Sequence, residues 1–258
     1  MKSVLVTGAK GQLGKSIQKI ASDYPQLHFT FADSKDLDIT DPKSIAEKLS
    51  NKAFSHCINC AAYTNVENSE KEPEKAFKVN SQGVRNLALL CQEQQTVLIH
   101  ISTDYVFDGE KGSPYLVTDT TNPINVYGAS KLEGEQHIQN LMSAYFIVRT
   151  SWLYSEYGKN FYKTILQKAK EGADLSVTDE QVGCPTHAEN LARYVLDLVV
   201  EDRETYGIHH FTDEESLSWY GFAQKILSEN NLADKVRLEK AKNYRTFARR
   251  PKYSVLKK

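Results

Sequence analysis

No uninterrupted apolar run in these 258 residues is long enough to cross a bilayer, and Met1 leads straight into a strand-like segment instead of a basic and then apolar leader. The expectation is a cytoplasmic protein with no membrane contact. Excess charge of either sign is missing as well: 32 Lys and Arg stand against 33 Asp and Glu, a formal net charge of -1. That balance argues against a general affinity for nucleic acid. Internal repeats and low-complexity tracts are absent. Cysteine is sparse, at 4 residues. Cys57 and Cys60 do form a C-x-x-C, but within the strand-like "SHCINCAA", where residues three apart point to opposite faces. Cys91 and Cys184 supply no second pair at zinc spacing, so the thiols read as buried structural residues and not as a metal or redox site.

With 40% hydrophobic and 25% charged residues, the chain can fill one large α/β domain or a domain plus a smaller lobe. Strand-like runs at Ser3 to Thr7, Leu27 to Asp33, Ser55 to Cys60, Val97 to Ser102 and Tyr145 to Thr150 alternate with helical ones. These are Gln12 to Ala21, Pro42 to Leu49, Pro73 to Glu93 and Ile124 to Leu141. The βαβα alternation predicts a Rossmann-type, doubly wound parallel sheet with helices on both faces, over residues 1–150. Beyond Thr150 the alternation loosens. Parts of 174–205, with a helix from Glu189 to Val200, are expected to complete the sheet domain. Residues 151–173 and 206–258 are assigned mainly to a smaller, interleaved C-terminal substrate-binding lobe that contributes little to the parallel sheet. Between Arg237 and Lys258 nine basic residues, Lys242 among them, face one acid, Glu239. Some could meet a diphosphate, and most read as a solvated tail.

Ligands on such sheets bind at the carboxyl ends of the strands. The first strand runs into "VTGAKGQLG", with Gly8, Gly11 and Gly14 ahead of an amphipathic helix from Gln12. Glycines there let backbone turn and approach closely, and the helix start aims N–H groups at an anion. The spacing is neither G-x-G-x-x-G nor a P-loop. At the second strand end, Asp33 could accept hydrogen bonds from an adenosine ribose, which would suit NADH. Lys35 could instead neutralise a 2′-phosphate, and an ordinary loop acid would look the same. Ala61 and Ala62, after the third strand, leave room for a flat cofactor or for tight packing.

The most informative pair is Tyr127 and Lys131, in "YGASKLEGE". Four apart on a helix, they project from one face. Ser102 and Thr103 bring hydroxyls to the same sheet edge. A free phenol ionises near pH ~10, and an adjacent ammonium lowers that value, so the set makes a proton relay.

These segments identify the chain as resembling the extended short-chain dehydrogenase/reductases, and within them the dTDP-4-dehydrorhamnose reductase branch. The matching pieces are "TGAKGQLG", "LDITDP", "NCAAYTNVENSE", "ISTDYVFDG", "NVYGASKLEGE", "RTSWLYSEYGKNF", "DEQVGCPT" and "ARRPKYSVL", in order over nearly the whole chain. The resemblance implies an NADPH- or NADH-dependent reduction of the C4 keto group of dTDP-4-dehydro-L-rhamnose. It places Gly11, Gln12 and Leu13 at the cofactor diphosphate, with Asp38 and Ile39 at the adenine end. Ala61, Ala62 and Tyr63 fall beside the nicotinamide. Thr103 and Tyr127 bracket the substrate carbonyl, Lys131 holds the nicotinamide ribose, and Asp104 and Trp152 contact the sugar nucleotide. A homodimer is compatible with it. Some relatives bind Mg²⁺ through a carboxylate just after the glycine loop; Lys15 and Ser16 stand there, so no metal is expected. Two other readings survive at this stage: a nucleotide-sugar epimerase or dehydratase that recycles bound NAD⁺, and a non-catalytic NAD(P)-binding regulatory subunit.

Overall fold

Val4, Leu5 and Val6 are all fully buried at successive positions of one strand, so that strand has no solvent face and must be covered from both sides. The computed structural model, which describes residues 1–50, 53–201, 205–241 and 245–258, shows what covers it. The sheet strands are β1 (Lys2–Thr7), β2 (Leu27–Ala32), β3 (His56–Asn59), β4 (Val97–Thr103), β5 (Tyr145–Thr150) and a sixth, Gly207–His210. All pair in parallel, in the order Gly207–His210, β5, β4, β3, β1, β2. The helices are α1 (Gln12–Ile20), α2 (Pro42–Ser50), α3 (Val66–Lys71), α4 (Pro73–Phe77), α5 (Gly83–Glu93), α6 (Val126–Leu141), α7 (Phe161–Lys170), α8 (Ala188–Val200) and α9 (Trp219–Glu229).

The two-residue period of the strands divides the apolar side chains between two cores. Val4, Val6, Ile58, Ile99, Phe146 and Val148 pack with Ile17 of α1 and with Leu191 and Val195 of α8. Leu5, Cys57, Leu98 and Ile147 pack on the opposite face with Ile45 of α2, Leu87 and Cys91 of α5, and Ile138 of α6. The doubly wound α/β reading therefore holds. Cys57 lies in the second core, whereas Cys60 packs against the first, so the C-x-x-C thiols face apart.

A third core joins α7 and α9 through Ile165, Ala169, Phe222 and Ile226, with the short parallel strands Leu175–Val177 and Leu238–Lys240 beside them. The chain end ties this unit to the sheet unit. Tyr115 N–H donates to Val255 O at 2.8 Å, and Ser254 N–H donates to Val182 O at 2.8 Å.

Two expectations need correction. Gly207–His210 belongs to the parallel sheet, not to the smaller unit. Its sequence, GIHH, lacks an apolar run because the strand is an edge, paired with β5 alone. The single helix expected from Pro73 to Glu93 is interrupted by a wider π turn at Lys78–Gln82, which carries Asn80 and Ser81 into the interior. Asn80 accepts from Tyr63 N–H at 2.8 Å and donates to Tyr63 O at 2.9 Å, bonds that a regular helix would aim elsewhere. In the basic C-terminal stretch, Arg237 pairs with Glu239 and Lys240 with Asp179, while Lys242 lies outside the described residues.

Candidate active site

The carboxyl ends of β1, β3, β4 and β5 open into one cavity of about 530 Å³. At its near wall is the glycine loop, whose three glycines do different work. Gly8 has φ +63, and a Cβ there would sit 2.6 Å from Ala61 N. A Cβ on Gly14 would sit 2.6 Å from Gly8 O. Both are required by backbone packed on backbone. Gly11 alone faces the cavity, and it is the N-cap of α1 without a side-chain bond to the first turn, which also contains no acid. Its free side is therefore the one where a diphosphate can meet helix N–H groups. In Gly11→Val, φ of -72 suits valine, while the added Cβ would lie 3.2 Å from Gly8 O and asks that carbonyl to shift slightly, so the melting temperature should fall only modestly. Affinity for reduced cofactor should fall about tenfold, roughly one charge-assisted hydrogen bond of ~1.5 kcal/mol. Titration of cofactor fluorescence measures it; unchanged affinity would leave the loop as a turn only.

Across the cavity, β4 ends at Thr103, and α6 begins where Asn125 accepts from Gly128 N–H at 2.7 Å. The Asn125 amide also donates to Arg249 O at 2.8 Å, so the tail fixes the start of this helix. Gly128 lets the helix sit tightly, since a Cβ there would lie 2.1 Å from Tyr105 O. Tyr127 and Lys131, one turn apart, then both reach the cavity beside Thr103. Burial pushes the Tyr127 phenol above its ordinary range, the Thr103 hydroxyl in hydrogen-bonding contact draws it down, and Asp104 and Tyr105 push it up again. The phenol therefore keeps its proton, and the lowering expected from an adjacent Lys131 ammonium is corrected: the shift is upward, because burial outweighs the other causes, and Lys131 is not among them. Lys131, 1% exposed, donates to Ile101 O at 2.7 Å and lies 3.0 Å from His100 Nε2. Burial lowers its pKa to about 8 against the opposing pull of Glu135 and Cys60.

Asp104 lines the same wall. Thr103 Oγ1 donates to its Oδ1 at 3.0 Å, while Oδ2 is buried without a hydrogen-bond partner. An orphaned carboxylate oxygen at a cavity wall suits a ligand hydroxyl. Burial raises the Asp104 pKa to about 7, partly offset by hydrogen bonds including those from Ser254 and Thr103. Above the usual 3.8 the unfolded chain releases this proton first, so wild-type stability is lost as pH rises from there through about 7. Asp104→Asn should flatten that part of the stability profile in urea melts; an unchanged slope would count against a buried, protonated Asp104.

The far wall comes from the smaller unit. Trp152 takes φ +47, a left-handed conformation rare for a bulky residue, and stacks on Trp219 with ring centres 3.5 Å apart and planes 4° apart. Gln12 of the glycine loop accepts from Asn160 Nδ2 at 2.7 Å and from Ser155 Oγ at 3.0 Å, bridging loop and far wall. Arg250 reaches in from the tail, held by Glu67 Oε1 at 2.6 Å, with its Nε buried and unpartnered.

Of the sequence-predicted residues, the cavity brings together Gly11, Gln12, Leu13, Ala62, Thr103, Asp104, Tyr127, Lys131 and Trp152. Gly8, Gly14 and Ala61 are not part of its lining; their backbones pack closely, Gly8 on Ala61 and Gly14 on Gly8. Asp33 pairs with Lys10 and accepts from Lys35 N–H at 2.7 Å, an Asx turn with its carboxyl held down to about 2 by Lys10. Asp38 accepts from Thr40 N–H and Oγ1, each at 2.8 Å, and Ile39 is buried in the core against Gly83. Tyr63 donates its hydroxyl to Glu72 at 2.9 Å. Sequence reasoning missed Asn160, Trp219, Cys60 and Arg250 as wall residues; only "GKNF" and "ARRPKYSVL" pointed toward two of them.

The residues fit a dinucleotide and a sugar nucleotide together: an uncapped helix start, the basic side chains Lys10, Lys131, Lys159 and Arg250, and an orphaned carboxyl oxygen of Asp104. The family model described as the RmlD substrate binding domain matches residues 1–258. The dTDP-4-dehydrorhamnose reductase of Aggregatibacter actinomycetemcomitans is 39% identical, over 99% of this chain and 90% of the relative. The crystal structure of the Bacillus anthracis dTDP-4-dehydrorhamnose reductase, in complex with NADP, is 39% identical with a TM-score of 0.93, covering 100% of this chain and 91% of that one. The Clostridium acetobutylicum reductase structure is 40% identical with a TM-score of 0.92, covering 99% and 90%. Matched from end to end, with its glycine loop, hydroxyl-ended strand and tyrosine–lysine helix converging on one cavity, the chain belongs to the RmlD family of dTDP-4-dehydrorhamnose reductases.

Proposed function

We infer that this chain reduces the C4 keto group of dTDP-4-dehydro-L-rhamnose to give dTDP-L-rhamnose, using NADPH or NADH. The observation that carries the reading is Tyr127 beside Thr103, with Lys131 one helical turn on, at the cavity end of β4. The reduced nicotinamide, when bound, supplies the hydride for the keto carbon. Negative charge then grows on the C4 oxygen. Tyr127, neutral in its buried setting, donates the phenolic proton to that oxygen, and Thr103 hydrogen-bonds it. Lys131 holds the ribose hydroxyls, and Gly11, Gln12 and Leu13 take the diphosphate. Asp104 Oδ2 hydrogen-bonds a sugar hydroxyl, as donor while protonated and as acceptor once ionised, with the Trp152 ring against the sugar nucleotide.

Among the described residues no helix is long and apolar enough to cross a membrane. A cytoplasmic location and a homodimer complete this reading. The test is incubation with dTDP-4-dehydro-L-rhamnose and each reduced cofactor while following absorbance. Stoichiometric oxidation of one cofactor is expected. Turnover without net oxidation would indicate an epimerase or dehydratase, and no turnover with bound cofactor would indicate a regulatory subunit.

A further inference from the structure

Behind the cavity wall, side chains of β1, β3, β4 and α6 form one buried polar chain. Thr7 Oγ1 donates to Asn59 Oδ1 at 2.6 Å, and Ala61 N–H donates to the same oxygen at 3.2 Å. Asn59 Nδ2 lies 3.0 Å from His100 Nδ1, and His100 Nε2 lies 3.0 Å from Lys131 Nζ. Asn59, His100 and Lys131 are each at most 1% exposed. The direction of this chain is set by backbone. Ala61 N–H can only donate, so the amide oxygen of Asn59 must face it and the amide NH₂ must face the histidine. An NH₂ also only donates, so His100 Nδ1 is the bare nitrogen and the ring proton sits on Nε2. That N–H points at Lys131 Nζ. An ammonium has no lone pair to accept it, whereas a neutral amine has one, and still keeps a hydrogen for Ile101 O.

We propose that His100 is a positioning residue for Lys131: with its tautomer fixed by Asn59, it favours the neutral amine of the lysine, held against β4 in the unliganded protein. Uptake of one proton by the Nζ lone pair breaks the Nε2–H···Nζ contact and turns the ammonium toward the cavity, where cofactor ribose hydroxyls accept from it. The second half rests on the cofactor role proposed above; the tautomer does not.

The surroundings agree. Facing Lys131 from β4 are His100 and the Ile101 carbonyl. From the end of β3 comes Cys60, whose thiol burial pushes up to about 12. From α6 itself come Tyr127, a neutral phenol, and Glu135, whose carboxylate is taken by Arg149 of β5 and by Ser102. His100 is kept neutral by burial, which holds its pKa well below 6.5.

Two readouts test the proposal. The ¹⁵N spectrum of the unliganded protein should show His100 with Nε2 protonated and Nδ1 bare; the opposite tautomer overturns it. Calorimetric titration with NADPH, in two buffers of different ionisation enthalpy, should show proton uptake approaching one per cofactor above about pH 8, where the affinity weakens about tenfold per pH unit. Asn59→Asp keeps the acceptor for Ala61 N–H and Thr7 but accepts from Nδ1–H, which bares Nε2 toward the ammonium. The uptake inflection should then rise by at least about one pH unit. His100→Gln, which can offer an amide oxygen to the ammonium, should shift it the same way and serves if Asn59→Asp does not fold. Binding without proton uptake, or an inflection unmoved in the variants that fold, overturns the gating. Failure of NADPH to bind at any pH would instead count against the cofactor reading and leave the tautomer measurement to decide the positioning role.

Discussion

Tyr127→Phe should lower kcat by at least about 100-fold while NADPH still binds. The ring itself is held by packing, edge-on to Tyr105 with centres 5.8 Å apart, so phenylalanine keeps the same seat. Only the hydroxyl is removed, and with it the proton proposed for the C4 oxygen. The neighbouring Thr103 hydroxyl offers a hydrogen bond to that oxygen but is far too weak an acid to give up its own proton. Steady-state rates at saturating cofactor, with affinity from a separate titration, separate the two effects. Retention of near wild-type turnover would sink the assignment of Tyr127 as donor; a matching collapse in affinity would show that the hydroxyl holds the site together.

Arg149→Met should cost about 3–5 kcal/mol of folding stability, the range for stranding one member of a buried ion pair. Glu135 is fully buried on α6 and receives Arg149 Nη2 at 2.7 Å, Arg149 Nε at 3.0 Å and the Ser102 hydroxyl at 2.5 Å. Methionine keeps much of the volume and removes every guanidinium hydrogen bond to the carboxylate. Against a total stability of roughly 5–15 kcal/mol, the melting temperature should drop by about 10 °C. The double variant Glu135→Leu, Arg149→Met should recover much of that loss, because the stranded charge is gone. A single-variant loss under about 1 kcal/mol would mean that water reaches the carboxylate. Since Ser102 precedes Thr103 and Glu135 follows Lys131 by one turn, this pair also sets the register between the hydroxyl and the tyrosine–lysine face.

The four interior strands, β1, β3, β4 and β5, were legible because burial on both faces demands apolar residues at consecutive positions, as in Val4–Leu5–Val6 or Leu98–Ile99, and the edge strand β2 because Leu27, Phe29 and Phe31 alternate along it. The edge strand Gly207–His210 was not. One of its histidines, His209, is used to hold Tyr194 at 2.9 Å, so its side chains carry hydrogen bonds where an interior strand would carry hydrophobes. The π turn at Lys78–Gln82 was hidden because no Gly or Pro marks it, and the wider turn is drawn out by tertiary bonds to Asn80. Tyr127 and Lys131 could be paired from spacing, since four residues close one helical turn. Asn160 could not be placed against Gln12, because a contact across 148 residues leaves no periodic trace. Asp33 and Asp38 show the opposite hazard: each sits where a ribose or adenine partner would be sought, and each is engaged in its own turn.

The stacked indoles have a spectroscopic consequence. The chain contains 2 tryptophans, and both stand in the wall of the one cavity that joins the sheet to the smaller unit. Tryptophan emission from this protein therefore originates wholly at this cavity. Two parallel chromophores 3.5 Å apart also couple their transitions, so any occupant that parts or tilts them alters an exciton signal to which the rest of the fold contributes nothing.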